Sequence, residues 1–149
     1  MANSKASMSV AVAIAVSAVS VMPAAAEAEA MIVRIRLNGA EITATLADNA
    51  TSRDFASLLP LELTLEDHGA TEKISYLPRK LSTEGAPAGS DPSAGDVAYY
   101  APWGNLALYR EHFGYSAGLV KLGRIETGSE MLNVPGKVKA TIELIGNEK

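Results

Sequence analysis

The chain contains no cysteine. That absence excludes disulfides, cysteine-ligated zinc, thiol nucleophiles and lipid attachment at an N-terminal cysteine. The fold must then rest on its hydrophobic core, which a chain of this length can supply. Histidine is nearly as scarce, with His68 and His112 the only two. Any serine triad has to use one of them, yet no Gly-x-Ser-x-Gly elbow is present. No His-x-x-x-His pair and no Asp/Glu cluster has metal-ligand spacing. Gly85, Gly89 and Gly95 stand too far apart, with prolines between them, to cradle a phosphate. The residues nominate no catalytic group, no metal and no cofactor.

Basic runs are missing too. Thirteen Lys and Arg face 17 Asp and Glu, a formal net charge of -4. A mildly acidic chain without a Lys/Arg cluster is a poor nucleic-acid binder. It also lacks the basic amphipathic segment that a membrane surface would attract. There is no internal repeat and no domain linker.

What is present begins with a three-part N-terminus. Lys5 is the one charge before an unbroken Val/Ala/Ile/Ser run from Val10 to Val21. Met22, Pro23 and the alanine-rich stretch Ala24 to Ala30 follow. A basic start, a short apolar core and small residues make the grammar of a secretory signal peptide. The core is well short of the roughly 20 apolar residues that span a bilayer. Residues 1–26 are therefore expected to be a signal peptide cleaved after Ala26, with Ala28 and Ala30 as alternatives. The mature chain, without Lys5, keeps 12 basic residues of the 13 against 17 acidic ones, formally -5. Its expected location is secreted or periplasmic, off the membrane once the signal is removed.

The rest, 31–146, reads as one β domain. Val33, Ile35 and Leu37 alternate with Arg34 and Arg36, and Asn38-Gly39 supplies a type I′ hairpin turn. Ile42, Ala44 and Leu46 alternate with Thr43 and Thr45 on the return. Thr51-Ser52-Arg53-Asp54 fits a weak capping box for a short helix over Thr51 to Leu59, ended by Pro60. Leu61 to Asp67 alternates again, with Glu62, Glu66 and Asp67 expected as solvated charge on its outer face. Asp67-His68-Gly69 reads as a turn with His68 in solvent. Lys73 to Leu77 is a weak strand, and Ser82 to Gly95 an irregular loop of functional or mobile length. Asp96 to Ala101, Leu106 to Glu111, Leu119 to Glu126 and Lys137 to Ile145 are further strands. Thr127 to Asn133 is a short helical turn. About eight strands and two short helices predict a mainly β protein, a closed barrel or a sandwich.

The order of a hairpin, a helix, four or five strands, a short helix and a final strand resembles the cyclophilin-like barrel. Ile32 to Gly39, Thr51 to Leu59, and Leu122 to Glu126 before Ser129 to Leu132 carry the likeness. With Gly95 to Leu108 they look closest to short bacterial cyclophilin-like proteins of unknown function. The resemblance spans about Met31 to Ile145. It implies a closed eight-stranded barrel with two short helices. In cyclophilins, prolyl isomerisation depends on an arginine in a Phe-His-Arg strand beside an apolar pocket. The third strand here has no Phe-His-Arg, and a Gln-Gly-Gly segment is also absent. Arg79, after Leu77-Pro78, could take that role only from a loop, and no residue carries over as catalytic.

The aromatics cluster. Tyr99, Tyr100, Trp103, Tyr109, Phe113 and Tyr115 fall within seventeen positions. Tyr99 and Tyr100 must face opposite sides of a strand, and Trp103 sits on a Pro-Trp-Gly-Asn turn. Such rings near Asn105 and Arg110 suit a pocket for a small molecule or peptide at the barrel mouth. The expected ligand-binding set is Tyr99, Tyr100, Trp103, Asn105, Tyr109 and Arg110, against the alternative that the rings merely cap the barrel. Three functions follow: a ligand-binding domain, a divergent peptidyl-prolyl isomerase, or an accessory protein-interaction module.

Overall fold

Asn38 and Gly39 both take positive φ, 48° and 73°. They close a hairpin between β1 (Met31–Leu37) and β2 (Ala40–Leu46). This is the turn expected from an Asn-Gly pair, whose twist matches the flanking strands. The protein is described by a computed structural model covering residues 9–19 and 31–147.

Helix α1 (Ala50–Ser57) follows. Its N-cap is Asn49 rather than the expected Thr51, and the Asn49 side chain accepts from the Ser52 backbone N–H at 2.8 Å. Thr51 and Ser52 are instead buried, and the Ser52 hydroxyl donates to the Leu122 carbonyl at 2.8 Å. A short polar side chain outcompetes a threonine box once the helix is docked on a strand. Phe55 anchors the inner face of α1 in the core.

The later strands are β3 (Leu61–His68), β4 (Glu72–Tyr76), β6 (Asp96–Tyr100), β7 (Asn105–Tyr109), β9 (Leu119–Thr127) and β10 (Val138–Asn147). They join β1 and β2 in a closed barrel of order β1-β10-β3-β4-β7-β6-β9-β2. Every ladder in it is antiparallel. The second expected helix is a single 3-10 turn, Ser129–Asn133. The loop expected over Ser82 to Gly95 is not wholly irregular. Gly89–Ser90 (β5) pairs with Ser116–Ala117 (β8) as a separate small sheet.

Closure splits the apolar residues in two. Val33, Ile35, Ile42, Leu65, Tyr99, Leu106, Leu108, Leu122 and Ile142 fill the barrel interior. A second cluster, Ile74, Ala98, Ala107, Tyr109 and Leu119, lies on the opposite face of the strands. Period two explains both, because neighbours on one strand point to opposite sides of the wall.

Asp67 departs from the expected outer face, although it stays in reach of solvent. It continues the inward series of Leu63 and Leu65 and meets the wholly buried Lys73 ammonium at 2.9 Å. Lys73 also donates to the Gly136 carbonyl at 2.9 Å, and Arg110 reaches Asp67 at 3.0 Å. Two cations on one carboxylate form a polar plug in the wall. The Lys73 hydrogen bond and the Gly136 N–H hold the Asp67 carboxyl down at about 2.

Of the expected signal peptide, residues 9–19 take neither helix nor strand, and Val10, Val12, Ile14, Val16 and Val19 are exposed. Lys5, Pro23 and the cleavage positions Ala26, Ala28 and Ala30 lie outside the described residues. Among the described residues no helix is long and apolar enough to cross a membrane.

Candidate functional site

Three adjacent strands, β4, β7 and β6, build an outer wall with its residues in rows. Ile74 pairs with Ala107, and Ala107 with Ala98. Tyr76 pairs with Asn105, and Asn105 with Tyr100. Glu72 pairs with Tyr109. Directly opposed side chains on neighbouring strands stand within contact of each other. The alanine row leaves a low floor between taller rows, and a groove of about 480 Å³ opens there.

The rim comes from strand ends and loops. The end of β3 brings His68, the turn after it Gly69 to Thr71, and the turn after β6 Trp103. Phe113 enters from the segment between β7 and β8, and Ser116 from β8 itself. Trp103 is 50% exposed. His68 and Tyr100 both meet it edge to face, with ring centroids 5.4 Å away in each case. Such T-shaped pairs are a favoured aromatic geometry and add about 0.5–1.5 kcal/mol each beyond area burial.

The Trp103 turn is braced from behind. The Trp103 and Gly104 N–H groups donate to the Tyr100 carbonyl at 3.2 and 2.9 Å. Gly118 donates through its N–H to Ala88 and accepts from the Ala101 N–H at 3.0 Å. Gly118 has φ 81°, and a Cβ there would lie 2.7 Å from Pro102 Cδ. Only glycine meets both demands.

The groove's polar groups are few. Asn105 is 2% exposed, and its carboxamide oxygen has no hydrogen-bond partner. Glu72 accepts from the neighbouring Thr71 hydroxyl. Burial, then the nearby Glu72 and Asp96 charges, push the Tyr109 phenol up. Among the described residues no group of three or more metal-ligating side chains converges.

The six expected site residues separate. Tyr100, Trp103, Asn105 and Tyr109 share the groove. Tyr99 does not: it points into the core at 1% exposure, and its hydroxyl accepts from the Leu81 N–H at 3.1 Å. Arg110 lies round the barrel in a separate depression with Arg124 and Glu130, its guanidinium spent on Asp67 and the Leu132 carbonyl. The groove also differs in place from the expected barrel mouth. It lies on the outer wall, because the interior is filled by the main core. Neither His112 nor Arg79 lines it. Arg79 makes a two-pronged pair with Asp54, at 2.7 and 3.0 Å.

His68, Glu72, Ile74, Ala107 and Ser116 are groove residues that the sequence did not bring forward. Period two on β4 and β7 carries the signal for three of them. Glu72 and Ile74 share a face, as do Asn105, Ala107 and Tyr109. His68 arrives by its pairing with Glu72 at the end of β3 and Ser116 by its pairing with Ser90, long-range or turn-set registers that no local pattern encodes.

The closed barrel, with one helix after its first hairpin and a helical turn before its last strand, defines the class of protein. A family model described as the cyclophilin-like family matches residues 35–143, and the chain belongs to that family. The barrel is similar to the solution structure of the hypothetical protein AF2241 from Archaeoglobus fulgidus, with a TM-score of 0.61 and 20% identity. That likeness covers 80% of this chain and 98% of the other, and it is one of fold. No curated protein matches the chain.

Proposed function

We propose that the chain is an exported, non-enzymatic binding domain that takes a small molecule or peptide in the outer-wall groove. The observation that supports this reading is a half-exposed tryptophan held edge-on by His68 and Tyr100 above an Ile74–Ala107 floor. A ring used only as a cap would be buried on both faces. Concave apolar walls with a few polar groups are the usual form of a ligand site. The unpartnered Asn105 carboxamide adds to the argument, since an unmet buried polar group costs about 1–3 kcal/mol unless something satisfies it. Export rests on the sequence: the Val10 to Val21 run and the Ala-x-Ala sites after it. Groove residues supply no arginine for an isomerase, so binding is favoured over proline isomerisation.

Trp103 is the only tryptophan, so its fluorescence reports on the groove without ambiguity. Titration with a fragment library and proline-containing peptides is expected to shift or quench it saturably. Ala107→Leu, which fills the floor, is expected to abolish the response while the barrel stays folded. A flat titration for every probe, or an unchanged response in Ala107→Leu, would remove the groove as a binding site.

A further inference from the structure

The groove is one-sided in charge. Its lining holds one carboxylate, Glu72, and no lysine or arginine. The cations nearest in sequence are engaged elsewhere. Lys73 points to the other side of the wall, and both it and Arg110 are bound to Asp67. Among the described residues Glu72 pairs with no cation, and its carboxylate accepts only from the adjacent Thr71 hydroxyl. Opposite it stands Tyr109, whose phenol is held neutral partly by that same charge.

The uncharged lining points the same way. Tyr100, Trp103, Tyr109 and Phe113 present aromatic rings, whose faces attract cations within about 6 Å. The Asn105 carboxamide oxygen is an acceptor without a donor. An anion would meet the Glu72 carboxylate with no lysine or arginine in the lining to offset it, His68 being the one imidazole there. A neutral apolar ligand would strip water from Glu72 and give it no partner, which is costly. A cation with N–H groups gives Glu72 the partner it lacks and suits the aromatic lining.

We propose that the occupant of the groove presents an alkylammonium group. Its N–H groups donate to Glu72 at one end of the groove, and its methylene stem lies on Ile74 and Ala107, running toward the Trp103 ring. The inference rests on the groove being the binding site, and it adds the chemical class of the ligand. An alkylammonium occurs free in small amines and on the lysine side chain of a peptide.

Both sources are tested by titrating Trp103 fluorescence in the full mature chain. The probes are n-butylammonium, its neutral counterpart 1-butanol, and N-acetyl-lysine methylamide. The amine is expected to bind saturably and about tenfold or more tighter than the alcohol, the size of a desolvated cation–π contact. Glu72→Gln is expected to weaken the amine by about tenfold and leave the alcohol unchanged. Glu84→Gln, an exposed acid outside the groove, is expected to change neither. Tighter binding of the lysine derivative than of the amine assigns a peptide; equal or weaker binding assigns a free amine. Equal binding of amine and alcohol, or amine binding unmoved by Glu72→Gln, overturns the charge inference and leaves the groove reading standing. A response to none of these probes, with neutral fragments still binding, also overturns it. Silence from every probe, fragments included, overturns both.

Discussion

Tyr99 and Tyr100 are neighbours on β6 and serve opposite sides of the barrel wall. The Tyr99 ring is buried in the interior with its hydroxyl on the Leu81 N–H, while Tyr100 lies edge-on against Trp103 in the groove. The two should therefore separate stability from binding. Tyr99→Phe strands a buried N–H and is expected to cost about 1–3 kcal/mol, read as a lower midpoint in urea unfolding, with ligand response at Trp103 retained. Tyr100→Ala is expected to weaken that response strongly and to cost less stability than Tyr99→Ala. Reversed effects would place the groove on the wrong side of the wall.

Gly118 supports the Trp103 turn from outside the groove. Gly118→Ala puts a methyl group against Pro102 and forces an L residue into positive φ. The expected outcome is a shifted Trp103 emission maximum and a stability loss of about 1–3 kcal/mol. An unchanged emission spectrum would mean that Trp103 is positioned without the Pro102–Gly118 contact.

Acid should loosen the protein through two aspartates. Asp67 is held at about 2 mainly by its Lys73 hydrogen bond, and Asp54 at about 2 mainly by its Arg79 hydrogen bond. Both folded values lie below the ordinary aspartate value of 3.8. The unfolded chain binds more protons in between, so the stabilisation is complete above about pH 4 and is lost as pH falls through 2. Urea midpoints measured from pH 5 to pH 2 are expected to fall. Asp67→Asn should flatten much of that fall and lower the midpoint at pH 7, because it leaves the buried Lys73 ammonium short of its carboxylate. Lys73→Met is expected to be milder than Asp67→Asn at pH 7, since it removes the buried charge itself. A flat acid profile in the parent protein would contradict the plug.

Arg79 supports α1. Its pair with Asp54, joined by the Ser82 N–H on the same carboxylate, fastens the segment after β4 to the helix. A protease-coupled proline-peptide assay is expected to show no acceleration, and Arg79→Ala to lower thermal stability without touching ligand response at Trp103. Strong isomerase turnover abolished by Arg79→Ala would reverse the assignment.

Alternation made most of the barrel legible in the sequence. The Asn38-Gly39 hairpin, the inward leucines of β3 and the last strand all follow from period two and one turn signal. What alternation concealed was the continuation of a series past its apolar members. Asp67 looks like an outer-face charge on a linear reading, yet it takes an inward position beside the buried Lys73, and each satisfies the other. The second helix shrank to a 3-10 turn, since Gly128 and Val134 leave only Ser129–Asn133 between non-helical neighbours. The aromatic cluster was legible as a group and so was the opposition of Tyr99 to Tyr100, but not which of the two is core, nor that the groove lies on the outer wall. The groove itself depends on which residues of β7 stand beside β6 and which of β4 stand beside β7, a long-range register that no local pattern carries.

The most direct test of the account is where a bound ligand acts on the folded protein. Amide and methyl chemical shifts, followed by NMR during titration with n-butylammonium or a fragment that quenches Trp103, locate it. The account predicts shifts at Ile74, Tyr100, the Trp103 indole, Asn105 and Ala107, with Ile42, Leu65 and Leu122 inside the barrel unmoved. Shifts centred on those interior residues, or on the Arg110–Arg124 depression, would contradict it.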